Sequence, residues 1–409
     1  MRPESHRRVA IISLHTSPLA QPGVGDSGGM NVYVREMASA LAQQGTECIV
    51  YTRADSADLP REVLVEPGHR VVYVHAGPYH LPKEALTDIV DEFIEAMVAD
   101  IETRGGVDAV HAHYWLSGEV GHALKHRLEV PFVVTFHTLA RIKGAGGDIE
   151  PGYREAAEAA QLGCADAVCV SCEAERSELI DHYGVPAGRV VIVSPGVEHA
   201  IFGPGDRGGA RRAIGEQAET PLVLFAGRIQ ALKGPDVAIR ALALMENRQA
   251  RLLVVGGASG IAGRAQEEEM RLLAEELGLA DRVRFVAPQP HHLLSTYYRA
   301  ADVMVVPSRS ESFGLVALEA AACGTPVVAS AVGGLTSLVD DGVTGVLVKS
   351  RTPAAFAGAL DAVLNDPAMA TSMSMAGAVA SLDYSWTAAA TRLNTVYDEL
   401  CSTALLECR

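Results

Sequence analysis

Leu222-Val223-Leu224-Phe225-Ala226-Gly227-Arg228-Ile229-Gln230-Ala231-Leu232-Lys233-Gly234-Pro235 is the stretch on which the reading of this chain turns. An unbroken apolar run ended by a glycine is too short for a helix and reads as a strand buried on both faces. Pro235, with φ already near the helical value, then starts a helix over Pro235 to Leu244. Strand, glycine-bracketed loop and helix make one βα unit. Just upstream, from Pro195 to about Ala210, Pro195, Gly196, Gly203, Pro204, Gly205, Gly208 and Gly209 crowd together, the composition of a linker between compact halves. The unit beginning at Leu222 is therefore the restart of a second domain.

The same grammar extends both ways. Downstream, strands are expected at Leu252 to Val255, Val283 to Val286, Val303 to Val306 and Pro326 to Ala329, with helices at Glu267 to Leu277 and Leu315 to Ala322. Upstream, strands Val9 to Leu14, Glu47 to Thr52, Val71 to Val74, Ala109 to His113, Phe132 to Phe136, Ala167 to Val170 and Val190 to Val193 accompany helices Gly28 to Gln44, Lys83 to Thr103, Tyr153 to Leu162 and Glu173 to Tyr183. From Ser385 a last helix, with Trp386 at its start, is expected to cross back to the first domain. The fold class is α/β: two Rossmann-like domains, residues 1–199 and 200–384, facing across a cleft, with a returning helix at 385–409. Ligands of such folds bind at strand C-terminal ends, which places the expected site in that cleft.

Composition narrows the function classes. At roughly 150 residues per domain, 409 residues suit two or three domains, and 48% hydrophobic with 21% charged residues supplies large cores. Disorder and small disulfide scaffolds are excluded. A formal charge of −16 repels phosphate backbones and anionic lipid, which argues against nucleic-acid and membrane partners. Seven cysteines, an odd number, and no signal-peptide core behind Met1-Arg2-Pro3 point to a reducing cytoplasm. No apolar run approaches the roughly 18 residues of a membrane span.

Gly23-Val24-Gly25-Asp26-Ser27-Gly28-Gly29 follows the first strand and opens the first helix, so its N–H groups and the helix N-terminus suit a phosphate; the bland alternative is a flexible turn. Arg228 and Lys233 stand just outside a strand end, and two cations on one short loop suit a diphosphate, unless they are merely solvated. Glu311 and Glu319 are eight apart, the first expected at a helix start and the second about two turns in, so their directions differ by about 80° around the axis. Glu311 there would also be a simple dipole partner, whereas Glu319 among apolar neighbours needs a polar one. His111 and His113 alternate on one strand face, and His137-Thr138 ends the next strand. Zinc on these histidines lacks a third ligand, and Cys169-Val170-Ser171-Cys172 is a lone CxxC beside Cys164, read as small buried residues at a strand end. With no Asp-x-Asp triplet and no HExxH, no carboxylate-held metal is evident. Protein cations must then neutralise any departing diphosphate.

Gly28-Gly29-Met30-Asn31, Gly227-Arg228 with Lys233, and the Glu311 and Glu319 pair together resemble the retaining glycosyltransferases of the two-Rossmann-domain GT-B fold, glycosyltransferase family 4. Within that family, His15-Thr16-Ser17-Pro18, Gly25-Asp26-Ser27-Gly28-Gly29-Met30-Asn31-Val32-Tyr33, His113-Tyr114-Trp115-Leu116-Ser117-Gly118 and Glu311-Ser312-Phe313-Gly314-Leu315-Val316-Ala317 are similar to the branch that glycosylates D-inositol 3-phosphate in mycothiol biosynthesis. The similarity spans nearly the whole chain.

The resemblance implies a nucleotide-sugar donor, UDP-N-acetylglucosamine or similar, and a small polar, anionic acceptor such as inositol phosphate. It implies that Gly28 and Gly29 approach the donor diphosphate, that Arg228 and Lys233 neutralise it, and that Glu319 holds the ribose. Glu311 would contact the transferred sugar, Ser312, Phe313, Gly314 and Leu315 would join it in binding the donor, and His137 would sit beside the reacting carbon. Lys83, Tyr114, Thr138 and Arg154 match an acceptor-phosphate site, and Asn31 matches a cyclitol contact. No metal ligand is assigned and no cofactor is required for catalysis, although a structural Mg2+ is compatible. A homodimer is the expected assembly. The loop from Lys143 to Arg154 is shorter than the family's usual form, with Gly144 where Asn is common. A diverged natural-product enzyme, for example the thiol S-glycosyltransferase of lincosamide biosynthesis using a GDP-sugar, is the alternative.

Overall fold

The computed structural model describes residues 7–145, 150–258 and 263–408. It separates into two units, one of Met1–Ala20, Met30–Pro195 and Trp386–Arg409, the other of Gln21–Gly29 and Gly196–Ser385.

In the first unit the elements run β1 (Arg8–Ile12), α1 (Gly29–Gln43), β2 (Glu47–Arg53), β3 (Glu62–Glu66), β4 (His69–Val74), α2 (Val90–Thr103), β5 (Ala109–His113), α3 (Trp115–Leu128), β6 (Phe132–Thr135), α4 (Ala140–Ala145), α5 (Gly152–Cys164), β7 (Ala167–Val170), α6 (Glu173–Tyr183) and β8 (Val190–Ile192). The sheet order is β3-β4-β2-β1-β5-β6-β7-β8, with β3 the one antiparallel member. Strands such as Ala109–His113 and Phe132–Thr135 are buried at every position, as expected where helices cover both faces of a parallel sheet. β1 pairs with β2 on one side, Val9 opposite Cys48, and with β5 on the other, Val9 opposite Ala109. Chain order reverses there, and such a switch point is where a doubly wound sheet binds its ligand.

The second unit contains α7 (Arg207–Ile214), β9 (Leu222–Ala226), α8 (Pro235–Leu244), β10 (Arg251–Val255), α9 (Gly263–Glu276), β11 (Val283–Val286), α10 (His291–Ala300), β12 (Val303–Val306), α11 (Leu315–Ala322), β13 (Val327–Ser330), α12 (Leu335–Leu338), β14 (Gly345–Val348), α13 (Pro353–Asn365) and α14 (Pro367–Ser381). All pairs are parallel in the order β11-β10-β9-β12-β13-β14, and the switch lies between β9 and β12. The final helix, α15 (Trp386–Cys401), belongs to the first unit, where Trp386 meets Tyr33 edge-on and Tyr397 is fully buried.

Several expectations need correction. Lys83 to Thr103 is not one α-helix: Lys83–Ile89 is a 3-10 turn that sets Leu86 and Ile89, three apart, on one buried face before α2 begins. The glycine-rich linker gives way to α7 at Arg207, behind an extended Asp206, and a Cβ at Gly209 would stand 2.6 Å from the Asp206 carboxylate. The cysteines are not all isolated thiols. Cys48, Cys169, Cys172 and Cys323 are buried thiols and Cys401 is an exposed one, but Cys164 and Cys408 are brought together across 244 residues. No described helix is long and apolar enough to cross a membrane.

Candidate functional site

In the second unit, β9 ends at Ala226 and delivers Arg228 and Lys233 into the loop before α8. Lys233 Nζ lies 2.6 Å from Glu311 Oε2, to which Ser308 Oγ also donates at 3.2 Å. The Glu311 loop is pinned from below: Gly334 N donates to Glu311 O at 2.8 Å, and a Cβ at Gly333 would come within 2.2 Å of that oxygen. Gly333 also has φ 45°, so only glycine suits this close approach. Residues Gln21–Gly29 join this unit, with Gln21 Nε2 donating to Pro288 O at 3.0 Å. A Cβ on Gly28 would stand 3.4 Å from Arg228 Nε, and one on Gly29 would stand 3.4 Å from Leu315 Cδ1. The structure thus brings Gly28, Gly29, Arg228 and Leu315 together, and separately joins Lys233 to Glu311.

α11 starts at Leu315 behind an N-cap at Gly314, whose φ is 101°. Glu311 therefore lies in the loop before the helix and Glu319 about one turn in, so the 80° relation around a shared helix does not hold. The reason is the left-handed Gly314, which interrupts the helix before it can reach back to Glu311. Phe313 is buried edge-on to Tyr384. Glu319 is buried and has the polar partners its surroundings demand: His291 Nε2 at 2.6 Å from Oε1, and the Tyr298 hydroxyl donating to Oε2 at 2.7 Å. Both partners come from α10, which the sequence reading passed over. The signal is a helical run behind Pro290, with His291 and Tyr298 seven apart and so on one face.

In the first unit, Arg154 is fully buried on α5. Its Nε donates to Glu158 Oε1 and its Nη1 to Glu150 Oε2, both at 2.8 Å, while Nη2 reaches Thr138 O at 2.9 Å and Thr138 Oγ1 at 3.2 Å. Its guanidinium stands 5.0 Å from the centroid of the Tyr114 ring, and Lys83 Nζ lies 4.5 Å from the same ring. Lys83, Tyr114, Thr138 and Arg154 are thus neighbours, although they come from the 3-10 turn, the end of β5, the loop after β6 and α5. Asn31 donates from Nδ2 to Thr16 Oγ1 at 2.8 Å and to Ser17 O at 2.6 Å. Glu150, Glu158, Thr16 and Ser17 were not anticipated. The four-residue spacing of Glu150, Arg154 and Glu158 is the signal that could have found two of them.

His111, His113 and His137 form a train rather than an open zinc face. His111 shares a hydrogen bond through Nδ1 with the Tyr397 hydroxyl at 2.7 Å and through Nε2 with Thr135 Oγ1 at 2.9 Å; His113 Nδ1 meets His137 Nε2 at 3.0 Å. Burial pushes His111 and His137 down to about 3 and His113 well below its usual value, so all three are neutral. His137 does not end the strand but follows it with φ 61°, and Tyr114 has φ 74°. Glu129 is the other non-glycine residue in that region among those described. Strain of this kind at two candidate residues is characteristic of a site whose geometry matters. Tyr114 is locked in place by its N–H to Thr135 O and its carbonyl to Gly118 N, both at 2.9 Å.

Two doubly wound sheets, one followed by Arg228 and Lys233 in the loop after β9 and the other carrying the Lys83, Tyr114, Thr138 and Arg154 cluster, are the architecture of GT-B glycosyltransferases. The chain belongs to glycosyltransferase family 4: residues 27–201 match the family model described as Glycosyltransferase Family 4, and residues 206–379 match Glycosyl transferases group 1. It is 46% identical over 398 residues to the D-inositol 3-phosphate glycosyltransferase of Acidothermus cellulolyticus, covering 94% of this chain and 88% of that one. It is also 46% identical over 393 residues to the enzyme of the same name from Kribbella flavida, covering 93% and 92%. Among solved structures it resembles a sucrose-phosphate synthase from Thermosynechococcus elongatus, with TM-score 0.91, 35% identity and coverage of 96% and 99%. Anabaena HepE in complex with UDP and glucose, 20% identical with TM-score 0.80 over 97% and 100% of the two chains, shares the fold.

Proposed function

We propose that this glycosyltransferase moves N-acetylglucosamine, with retention at the anomeric carbon, from its UDP conjugate to D-inositol 3-phosphate. The observation that carries the reading is near-half identity, over almost the full length of both chains, to relatives bearing that acceptor's name. The natural-product alternative has no comparable support.

In this reading the bond from the anomeric carbon to the diphosphate oxygen breaks first, with Lys233 and Arg228 offsetting the growing charge on the leaving group. Lys233 is held ready by Glu311, which contacts the sugar. The acceptor hydroxyl then attacks the same face and its proton passes to the departing phosphate oxygen, so no protein nucleophile is needed. Each Glu319 oxygen keeps a second lone pair for a ribose hydroxyl, with His291 and Tyr298 fixing the carboxylate. Neutral His137, immobilised by His113, offers a ring edge beside the reacting carbon.

On the acceptor side the charges sort themselves by arithmetic of contact. Arg154 is occupied by Glu150 and Glu158, and Lys143 also pairs with Glu150, so this group carries no spare positive charge. Lys83 makes no ion pair among the described residues. Lys83 is therefore the cation that meets the acceptor phosphate, and Arg154 positions Thr138 and Tyr114 around it. The enzyme is a cytoplasmic homodimer in this reading, and sedimentation of the purified chain tests the dimer.

The test incubates the full chain with UDP-N-acetylglucosamine and, in parallel, D-inositol 3-phosphate, free inositol or a small thiol. UDP release that depends on the phosphorylated acceptor, with an α-linked product by NMR, is expected. Release that needs the thiol, or only a GDP-sugar, overturns the assignment.

A further inference from the structure

Four side chains of the first unit that serve none of these clusters converge at one place. His122 and His126 stand four apart on α3 and so share a face; Cys164 ends α5; Cys408 lies in the segment after α15. Their ligand atoms all fall within 4.8 Å of one another. Cys408 Sγ is 3.1 Å from His126 Nε2 and 4.0 Å from His122 Nε2, and Cys164 Sγ is 3.4 Å from His126 Nε2. The two sulfurs lie against each other.

We propose that His122, His126, Cys164 and Cys408 form a structural Zn2+ site that clasps the segment after α15 onto α3 and α5.

Zinc bound tetrahedrally, with Zn–S of about 2.3 Å and Zn–N of about 2.0 Å, sets sulfur-to-nitrogen edges of roughly 3.6 Å. The three measured separations bracket that edge. The sulfur pair has to open, to about 3.8 Å, and Cys408 is exposed, so a side-chain rotation accomplishes it and adjusts its distances to the two imidazoles. Two thiolates and two imidazoles are a borderline-soft set that suits zinc and not the hard, oxygen-seeking Mg2+ or Ca2+. Each thiol gives up its proton on binding, so two thiolates balance the divalent ion and the completed centre is neutral.

The framework around the cluster is already rigid. Asp166 accepts from Lys125 Nζ at 2.9 Å, from Phe132 N at 2.8 Å and from Leu406 N at 2.7 Å, while Lys125 Nζ also holds Cys164 O at 2.7 Å. Both cysteine-bearing segments therefore hang from one buried Lys125–Asp166 pair, with Lys125 on the same helix as the two histidines. A disulfide would engage the sulfurs alone. It would leave the imidazoles only weak N–H···S contacts, whereas a metal engages all four groups.

The full chain, reduced with a phosphine and freed of metal by a chelator, is titrated with Zn2+ and separately with Co2+. About one ion per chain is expected, with a tetrahedral cobalt spectrum that includes thiolate charge transfer. Cys408→Ser and His122→Ala should each weaken zinc binding by about tenfold or more, whereas Cys401→Ser, outside the cluster, should leave it unchanged. Zinc below about a tenth of an ion per chain, or zinc binding undiminished in Cys408→Ser, overturns the site. So does a reduced chain that ignores zinc while the oxidised chain yields a Cys164–Cys408 linked peptide by mass spectrometry, because the pair is then a disulfide only. Cys408 is exposed, so its replacement keeps the fold and the comparison stays decisive.

Discussion

The two units use the same sheet grammar but handle charge in opposite ways. In the second, Lys233 and Glu311 form a single pair whose side chains are 24% and 14% exposed, so the cation can exchange its carboxylate for a phosphate. In the first, Arg154 and Glu158 are 2% and 0% exposed and tied to Glu150, Thr138 and Tyr183 as well. A buried, saturated pair is costly to break and contributes geometry; a partly exposed one is cheap to break and contributes chemistry. The lesson is that a cation in a matching sequence position need not be the one that touches ligand.

Four measurements would break or sharpen that contrast. The largest effect is expected from Arg154→Ala, which strands Glu158 as a buried charge and should cost about 3–5 kcal/mol of stability in denaturant titration. Normal stability combined with a raised acceptor KM would make Arg154 a ligand contact instead. Next, Lys233→Ala should lower kcat by about 10²–10³-fold with an unchanged melting profile, the loss typical of one preorganised charge at a leaving group. A near-normal rate of nucleotide release would remove Lys233 from the diphosphate.

Third comes acid. His111 has its pKa lowered from 6.5 to about 3 by burial, so both folded and unfolded chains hold it neutral above 6.5. Between those values the unfolded chain binds a proton that the fold refuses, and the stabilisation is lost as pH falls through that window. At pH near 5 this amounts to roughly 2 kcal/mol for His111, and His111→Gln should flatten the dependence of the melting temperature on pH. A pH dependence identical in the variant would show that His111 is not the group excluded from protonation. The smallest effect belongs to Lys83→Ala: about a tenfold rise in acceptor KM, about 1.4 kcal/mol, with kcat and stability little changed. If KM for the donor moves instead, the acceptor phosphate lies elsewhere.

Elements defined by their own residues were legible. β9, α8, β12, α11 and α15 occur at the residues expected from apolar runs, Pro235 at a first helical turn and Trp386 at a helix start. The antiparallel β3 was not, because Glu62-Val63-Leu64-Val65-Glu66 is half-buried on an edge and carries no strong alternation. Glu311 and Glu319 are legible as two acids eight apart, but the angular relation expected of them fails at Gly314, where one left-handed residue keeps the helix from reaching back to Glu311. Glu150, Arg154 and Glu158 were readable in principle from spacing. The partners of Glu319, twenty-one and twenty-eight residues away, were not.

By itself the sequence determined the α/β class, the restart at Leu222 and the family, because strand and helix periods and glycine-rich turns are local properties of the chain. Only the tertiary structure decided which charges are satisfied, since Arg154 looks like any cation until Glu158 and Glu150 close around it. It also decided that Cys408 meets Cys164, His122 and His126. Contacts across 244 and 286 residues depend on how the sheet and the returning helix pack, and burial, which sets both pKa and partner, exists only once they have packed.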